Sequence, residues 1–378
     1  MGKLLILSWG VYPSKGGSTF LVNNIAERYG ADELVIIGQK PTTMPDEKWE
    51  HISKVKMYYL DPYPFGLKLF SRILPWLKVG MLSREVKTII EQENVDRILA
   101  IFPNEYYCYI AMKVSSALGI PFSIWFHNTY LENRKGVWKL MAEWLQPQLF
   151  AKAKNTFVMS EGMSAELAKI YPSQNFEPLV HGLNIEEEKL DYSQRDISGK
   201  VKFLYTGTLN QACFDASLRM FKVLMANPDY ELYISTGDEA AFISRGITGD
   251  GVIFTPYLPM DEFLEDLKNY DIMLLPHGFT GAFSELEYRT IFPTRTIPLL
   301  FSGRPILAHS PSNSFLNKFL EENDCSVLVD EADEQLIENG IQKIISDKVL
   351  VERITSNALK AGQQFKVENI ISKIEELV

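Results

Sequence analysis

Short apolar runs recur along this chain, separated by longer stretches whose apolar residues repeat at helical spacing. In the first half the runs are 3–8, 33–38, 55–60, 97–102, 121–126, 156–159 and 177–181. In the second half they are 201–206, 230–235, 251–254, 271–275, 305–309 and 326–329. They are apolar without alternation, the pattern of strands covered on both faces. Stretches such as 18–29, 105–118 and 261–268 read as the intervening helices. Strand–helix alternation predicts parallel sheets built from βαβ units, and two such sets in tandem predict an α/β chain of two Rossmann-like domains. The join falls in the polar stretch 185–200, with Glu186, Glu187, Glu188, Ser198 and Gly199, which gives domains of 1–188 and 189–364. The tail 347–378 is helical by pattern, with Gly362 marking a break.

A length of 378 residues exceeds one ordinary core and fits two domains. The net charge of −10 is uneven: residues 1–190 hold 21 basic and 20 acidic side chains, residues 191–378 hold 17 and 28. Bulk nucleic-acid binding is not the reading of such a chain. The three cysteines, Cys108, Cys213 and Cys325, are scattered, so neither a disulfide framework nor a Cys-based zinc site is expected, and the compartment reads as a reducing cytosol. The apolar run at the N-terminus is short and reads as a first strand, and no run approaches the roughly 20 residues of a membrane-spanning helix.

The chemistry concentrates between Tyr270 and His309. A short apolar run ends in Pro276, His277 and Gly278; a loop with Gly281, Glu285 and Glu287 follows; then come Phe292-Pro293-Thr294-Arg295 and Gly303-Arg304-Pro305. This reads as strand, polar loop, short helix, glycine stop, strand. Open α/β sheets bind ligands beyond the carboxyl ends of their strands. Arg289 and Arg295 near a helix start suit a phosphate, and the carboxylates suit sugar or ribose hydroxyls.

The segment resembles the donor-binding region of GT-B glycosyltransferases, especially the retaining glycosyltransferase family 4. Gly303-Arg304-Pro305 matches the family's Gly-x-Pro, and Phe292-Pro293-Thr294-Arg295 matches a Phe-Pro-Ser-Lys variant of its loop. The resemblance implies two Rossmann-like domains facing a cleft, with the final helix, 365–378, packed back on the N-terminal domain. It implies transfer of a sugar from a nucleotide-sugar co-substrate to a saccharide or glycolipid hydroxyl, with retention, without metal and with no other cofactor. Three departures stand out. Pro298 occupies the place of the ribose-binding Glu, Thr208 that of an Arg, and Cys213 or a neighbour that of a Lys; the latter two cations hold the donor diphosphate in the family.

Other positions follow from the same resemblance. Gly16, Gly17 and Ser18 match the Gly-Gly loop that faces the cleft; the plainer reading is a tight turn with a Ser/Thr cap. His127, in Trp125-Phe126-His127-Asn128-Thr129, matches a His that contacts the donor sugar. Gly207 and Thr208 form the first turn of the second domain, and Tyr257 and Leu258 lie where backbone meets the nucleotide base. Arg295, helped by Arg289, substitutes for the missing cations. Glu285 or Glu287 contacts donor hydroxyls, with Thr294 in the same loop. The catalytic set is then His127, Arg295 and Glu287.

Two stretches, 65–84 and 134–154, are rich in cations and large apolar residues, and such segments can lie at a membrane interface. The expected location is cytoplasmic, with a peripheral contact to the inner membrane face left open beside the plainer reading of core helices. Asp-x-Asp, Walker A, Gly-x-Ser-x-Gly and His-Glu-x-x-His patterns are missing. Two other readings of the fold remain: a sugar-nucleotide epimerase, and a degenerate transferase acting as a binding subunit.

Overall fold

The computed structural model describes residues 2–14, 17–40, 54–61, 73–185 and 199–378. The chain divides into two compact units, Met1–Asn184 with Val367–Val378, and Ile185–Lys366.

Among the described residues the first unit holds β1 (Lys3–Ser8), β2 (Leu34–Gln39), β3 (Lys56–Leu60), β4 (Val95–Phe102), β5 (Phe122–Phe126), β6 (Thr156–Val158) and β7 (Phe176–Pro178). They form one sheet in the order β3-β2-β1-β4-β5-β6-β7, with every pairing parallel. The second unit holds β8 (Val201–Thr206), β9 (Tyr230–Ser235), β10 (Val252–Thr255), β11 (Ile272–Pro276), β12 (Ile306–His309) and β13 (Val327–Val329). Their order, β10-β9-β8-β11-β12-β13, is also all parallel. Numbered from its own first strand, each sheet runs 3-2-1-4-5-6, with a seventh strand added at the end of the first, the doubly wound order that puts a switch point beside strand 1.

The lack of alternation in the sequence is explained by cores on both faces. On β1, Leu4 and Ile6 enter a core with Leu21, Val22 and Ile25 of helix Gly17–Ala26 and with Ile370 and Ile374 of helix Val367–Leu377. Leu5 and Leu7 enter the opposite core with Leu82, Val86, Ile110 and Ala111 of helices Val79–Glu93 and Glu105–Leu118. Each large aliphatic side chain so buried contributes about 1.5–3 kcal/mol.

The last strand of the first sheet is shorter than the expected 177–181. Pro178 has no N–H for the ladder, and the chain beyond it turns toward the final helix, whose Val367 N–H donates to Leu183 O at 3.0 Å. Gly182 makes that docking close. A Cβ there would lie 2.8 Å from Val367 Cα and from Ile370 Cγ1, and the Gly182 carbonyl accepts from Asn24 Nδ2 at 2.8 Å. The helical tail is two helices, Lys348–Gly362 and Val367–Leu377, parted by a 3-10 turn after Gly362.

Candidate functional site

In the second unit the site is built on the first turn after β8. Gly207 has φ +102°, a conformation that side-chain-bearing residues rarely adopt, and its N–H donates to Ser235 O at 2.9 Å. Tyr205, fully buried, donates its hydroxyl to Thr208 O at 2.8 Å, while the Thr208 side chain is exposed. Arg295, at the head of the short helix Thr296–Leu300, lays its guanidinium over the Tyr205 ring, with Cζ 4.7 Å from the centroid. Nη2 lies 3.3 Å from Thr208 O and 3.7 Å from Cys213 Sγ. Nη1 is buried and has no hydrogen-bond partner, as is true of the neighbouring Thr296 Oγ1. Burial opposes the charge, but Tyr205 and Cys213 beside it more than offset this, and the guanidinium is held protonated with its pKa raised. The result is a fixed cation with a donor to spare, resting on a tight turn at the carboxyl end of a parallel strand. Guanidinium forks of this kind suit phosphate oxygens.

The loop after β11 is tied to the same region. His277 N–H donates to His309 O at 2.8 Å and Gly278 N–H to Ala212 O at 2.7 Å. Phe279 N–H lies 3.2 Å from both carboxylate oxygens of Asp215, in the first turn of helix Phe214–Met225. A Cβ at position 278 would fall 2.9 Å from Ala212 O and Asp215 Oδ1, so only glycine lets the loop come this near. Asp215 pairs in turn with Arg219 at 3.2 Å, and Arg219 Nε donates to His309 Nε2 at 3.1 Å. Burial holds the His277 and His309 pKa values down to about 4, so both imidazoles are neutral.

Ser284 caps the helix that follows, Glu285–Thr290, by accepting from Glu287 N–H at 3.2 Å. The Glu285 side chain is 81% exposed and lies 3.8 Å from Arg289. Glu287 is 1% exposed, so its carboxyl faces the protein interior. Thr294 is half-buried beside Arg295, and Pro298 is buried within the next helix. Tyr257 is half-exposed and Leu258 half-buried in the turn after β10. The structure therefore brings Arg295, Gly207, Thr208 and Cys213 together, and gives Arg289 a different partner, Glu285.

In the first unit His127 follows β5 directly. Gly16 lies outside the described residues; Gly17 opens helix Gly17–Ala26, and Ser18 sits in its first turn. Ser18 Oγ is 3.2 Å from His127 Nδ1. His127 is 7% exposed, packs edge-on against Trp125 and His181 with centroids 5.1 and 5.0 Å away, and has no hydrogen-bond partner at Nε2. Burial, with His181 adding to it, drives its pKa well below the usual imidazole value. Its neighbours are anchored: Trp125 Nε1 donates to Leu179 O at 2.9 Å, and His127 N–H to Phe102 O at 3.3 Å.

Tyr205, Asp215 and His181 were not singled out in the sequence. Tyr205 reads there as one more apolar strand residue, and His181 as the end of a strand. Asp215 carries a signal, an acid in the first turn of a helix, but its partner is 64 residues away.

The two cationic, apolar stretches are surface features in part; residues 65–72 lie outside the described residues. Leu77 is 76% and Val137 69% exposed, and Ile73, Met81, Leu140 and Trp144 are also exposed. Trp76 is half-buried against the core and meets Tyr109 in a tilted contact, centroids 5.5 Å apart, and Tyr109 in turn meets Trp144 at 5.8 Å. Among the described residues no helix is long and apolar enough to cross a membrane.

No protein-family model matches the chain, and no curated protein sequence matches it. Solved structures do match in fold. Sucrose-phosphate synthase from Thermosynechococcus elongatus is 13% identical with a TM-score of 0.74, covering 100% of this chain and 98% of its own. Anabaena HepE in complex with UDP-glucose is 14% identical, TM-score 0.70, covering 100% and 99%. The lipopolysaccharide outer core galactosyltransferase WaaB in its apo form is 14% identical, TM-score 0.66, covering 99% and 98%. At these identities the likeness is one of fold, and it extends over the full length of the chain: two parallel sheets sheathed in helices, the GT-B architecture.

Proposed function

We propose that this chain is a retaining glycosyltransferase of the family 4 kind, moving a hexosyl group from a nucleotide sugar to a hydroxyl of a saccharide or glycolipid. The bond from the anomeric carbon to the diphosphate breaks, a new one forms to the acceptor oxygen, and the acceptor's proton is released. The observation that carries this reading is the guanidinium of Arg295. It lies against Thr208 and Cys213, the two positions where cations would be expected, and keeps Nη1 unpartnered. Arg295 binds the diphosphate and stabilises the charge that develops on the leaving group, and no metal is needed for that. The turn at Gly207 and Thr208 approaches the phosphates through backbone, Tyr257 and Leu258 meet the base, and Glu285 and Thr294 meet donor hydroxyls. His127 offers Nε2 to the donor sugar.

The acceptor is expected at the first unit. For a lipid-linked acceptor, the exposed apolar residues Leu77, Val137, Leu140 and Trp144 insert at the inner face of a membrane, helped by Lys78, Lys135 and Lys139. The protein is then cytoplasmic and peripheral. Flotation with anionic and neutral liposomes at low and high salt tests this part, and a protein that never floats points to a soluble acceptor.

The activity itself is tested with a panel of nucleotide sugars. UDP-glucose comes first, because HepE of the same fold binds it. A donor that binds only the folded protein raises its melting temperature. Labelled donor then separates transfer to an acceptor from epimerisation. Binding without any turnover would overturn the enzymatic reading in favour of a binding subunit.

A further inference from the structure

The contact between Ser18 and His127 bears on which nitrogen of the imidazole carries the proton. A neutral imidazole donates from one nitrogen and accepts at the other. Nδ1 has the Ser18 hydroxyl at 3.2 Å, and Nε2 is buried with no partner. The hydroxyl can act either way, but its setting favours one. Ser18 stands in the first turn of helix Gly17–Ala26, ten residues long, where unpaired N–H groups create a positive potential. A proton on the adjacent Nδ1 is disfavoured there, and a proton on the far nitrogen is not. The Ser18 hydroxyl then donates to Nδ1. Gly10 lets the helix start come this close, since a Cβ on residue 10 would lie 3.2 Å from Ser18 Cβ.

We infer that Ser18 is a positioning residue that fixes His127 as the Nε2–H tautomer, making it a neutral hydrogen-bond donor for an oxygen of the bound sugar. The ligand group so recognised is an acceptor without positive charge, a hydroxyl or ring oxygen. A buried donor left unpaired is costly and rare, and a substrate oxygen satisfies it. The depressed basicity of His127 agrees with this, because the ring does not need to become charged to donate. His181, its ring centroid 5.0 Å away, is likewise held neutral by burial and so places no charge beside the His127 ring. The role in catalysis rests on the proposed sugar transfer; the tautomer does not.

The experiment is a long-range nitrogen–proton NMR spectrum of the whole protein labelled at its imidazole nitrogens, with His127→Asn used to assign the resonances. The expected wild-type result is an unprotonated Nδ1 and a protonated Nε2 on His127 between pH 6 and 8. In Ser18→Ala the two nitrogens should move toward a mixture of tautomers, and Ser18→Thr should restore the wild-type pattern. A protonated Nδ1 in the wild type would overturn the inference, as would a Ser18→Ala spectrum identical to it. With an active donor in hand, Ser18→Ala should lower kcat roughly 2- to 12-fold, the worth of one neutral hydrogen bond, with KM little changed and Ser18→Thr rescuing. The proposed tautomer without turnover of any nucleotide sugar would count against the proposed function and uphold the inference; turnover with the opposite tautomer would do the reverse.

Discussion

Replacing Arg295 by alanine separates the packing contribution of the side chain from the phosphate binding proposed for it. In the folded protein the guanidinium rests on the Tyr205 ring at 4.7 Å and reaches Thr208 O at 3.3 Å. The cation–π contact is worth about 0.5–2 kcal/mol depending on desolvation, and the hydrogen bond, at the long end of its range, adds little. Arg295→Ala should therefore lower the stability of the second unit by about 0.5–2 kcal/mol and leave it folded. Binding of a nucleoside diphosphate should suffer more. A lost charge-assisted contact costs about 1.5–3 kcal/mol, which is roughly a 10- to 150-fold rise in Kd. Calorimetric titration with a nucleoside diphosphate and with the bare nucleoside is the assay, because on the proposed reading only the former meets Arg295. Arg295→Lys should recover part of the affinity, since it restores the charge but not the planar fork. If the variant binds the diphosphate as tightly as the wild type, or loses the bare nucleoside to the same degree, Arg295 is not the phosphate ligand.

Two further outcomes follow from burial. His127, His181, His277 and His309 are all buried with depressed pKa values: about 4 for the last three, and well below the ordinary value of 6.5 for His127. Below pH 6.5 the unfolded chain binds protons that the folded chain refuses until its own lower pKa is reached, so stability falls as pH drops from 6.5 toward 4. Two of these four histidines lie in each unit, so their contribution to the slope should approach about 2.7 kcal/mol per pH unit for each, read as urea midpoints at pH 7, 6 and 5; a flat profile would contradict the neutral, buried state of these rings. Gly182→Ala should force its Cβ against Val367 Cα and Ile370 Cγ1, each 2.8 Å away, and overpacking of that kind costs about 1–3 kcal/mol; a melting curve like the wild type's would mean that the final helix gives way without strain.

The two sheets were legible because a doubly covered parallel strand leaves a mark that survives without alignment: continuous apolar runs such as 98–102 and 272–275, with glycines at the turns that need them. Gly207 and Gly303 have positive φ, +102° and +66°, and both were expected as turn or stop positions. Strand ends were less legible. Phe176–Pro178 ends early because Pro178 removes a donor and because the chain there docks on a helix nearly 190 residues later in the sequence, a partner that no local pattern announces.

The candidate site was legible as a set of positions rather than as a set of contacts. Sequence reading placed Ser18 with two glycines and His127 with a strand end, but their contact spans 109 residues and depends on Gly10 having no side chain. In the second unit the substitutions at Thr208 and Cys213 read in the sequence as lost cations. In space both lie against Arg295, whose guanidinium occupies the region between them on a platform supplied by Tyr205. A buried guanidinium needs partners, and here it has a carbonyl, a thiol and a ring face, none of them a carboxylate. An ion-paired arginine would already be neutralised. This one keeps its charge and an unpartnered Nη1, which is the electrostatic condition that the proposed diphosphate contact requires.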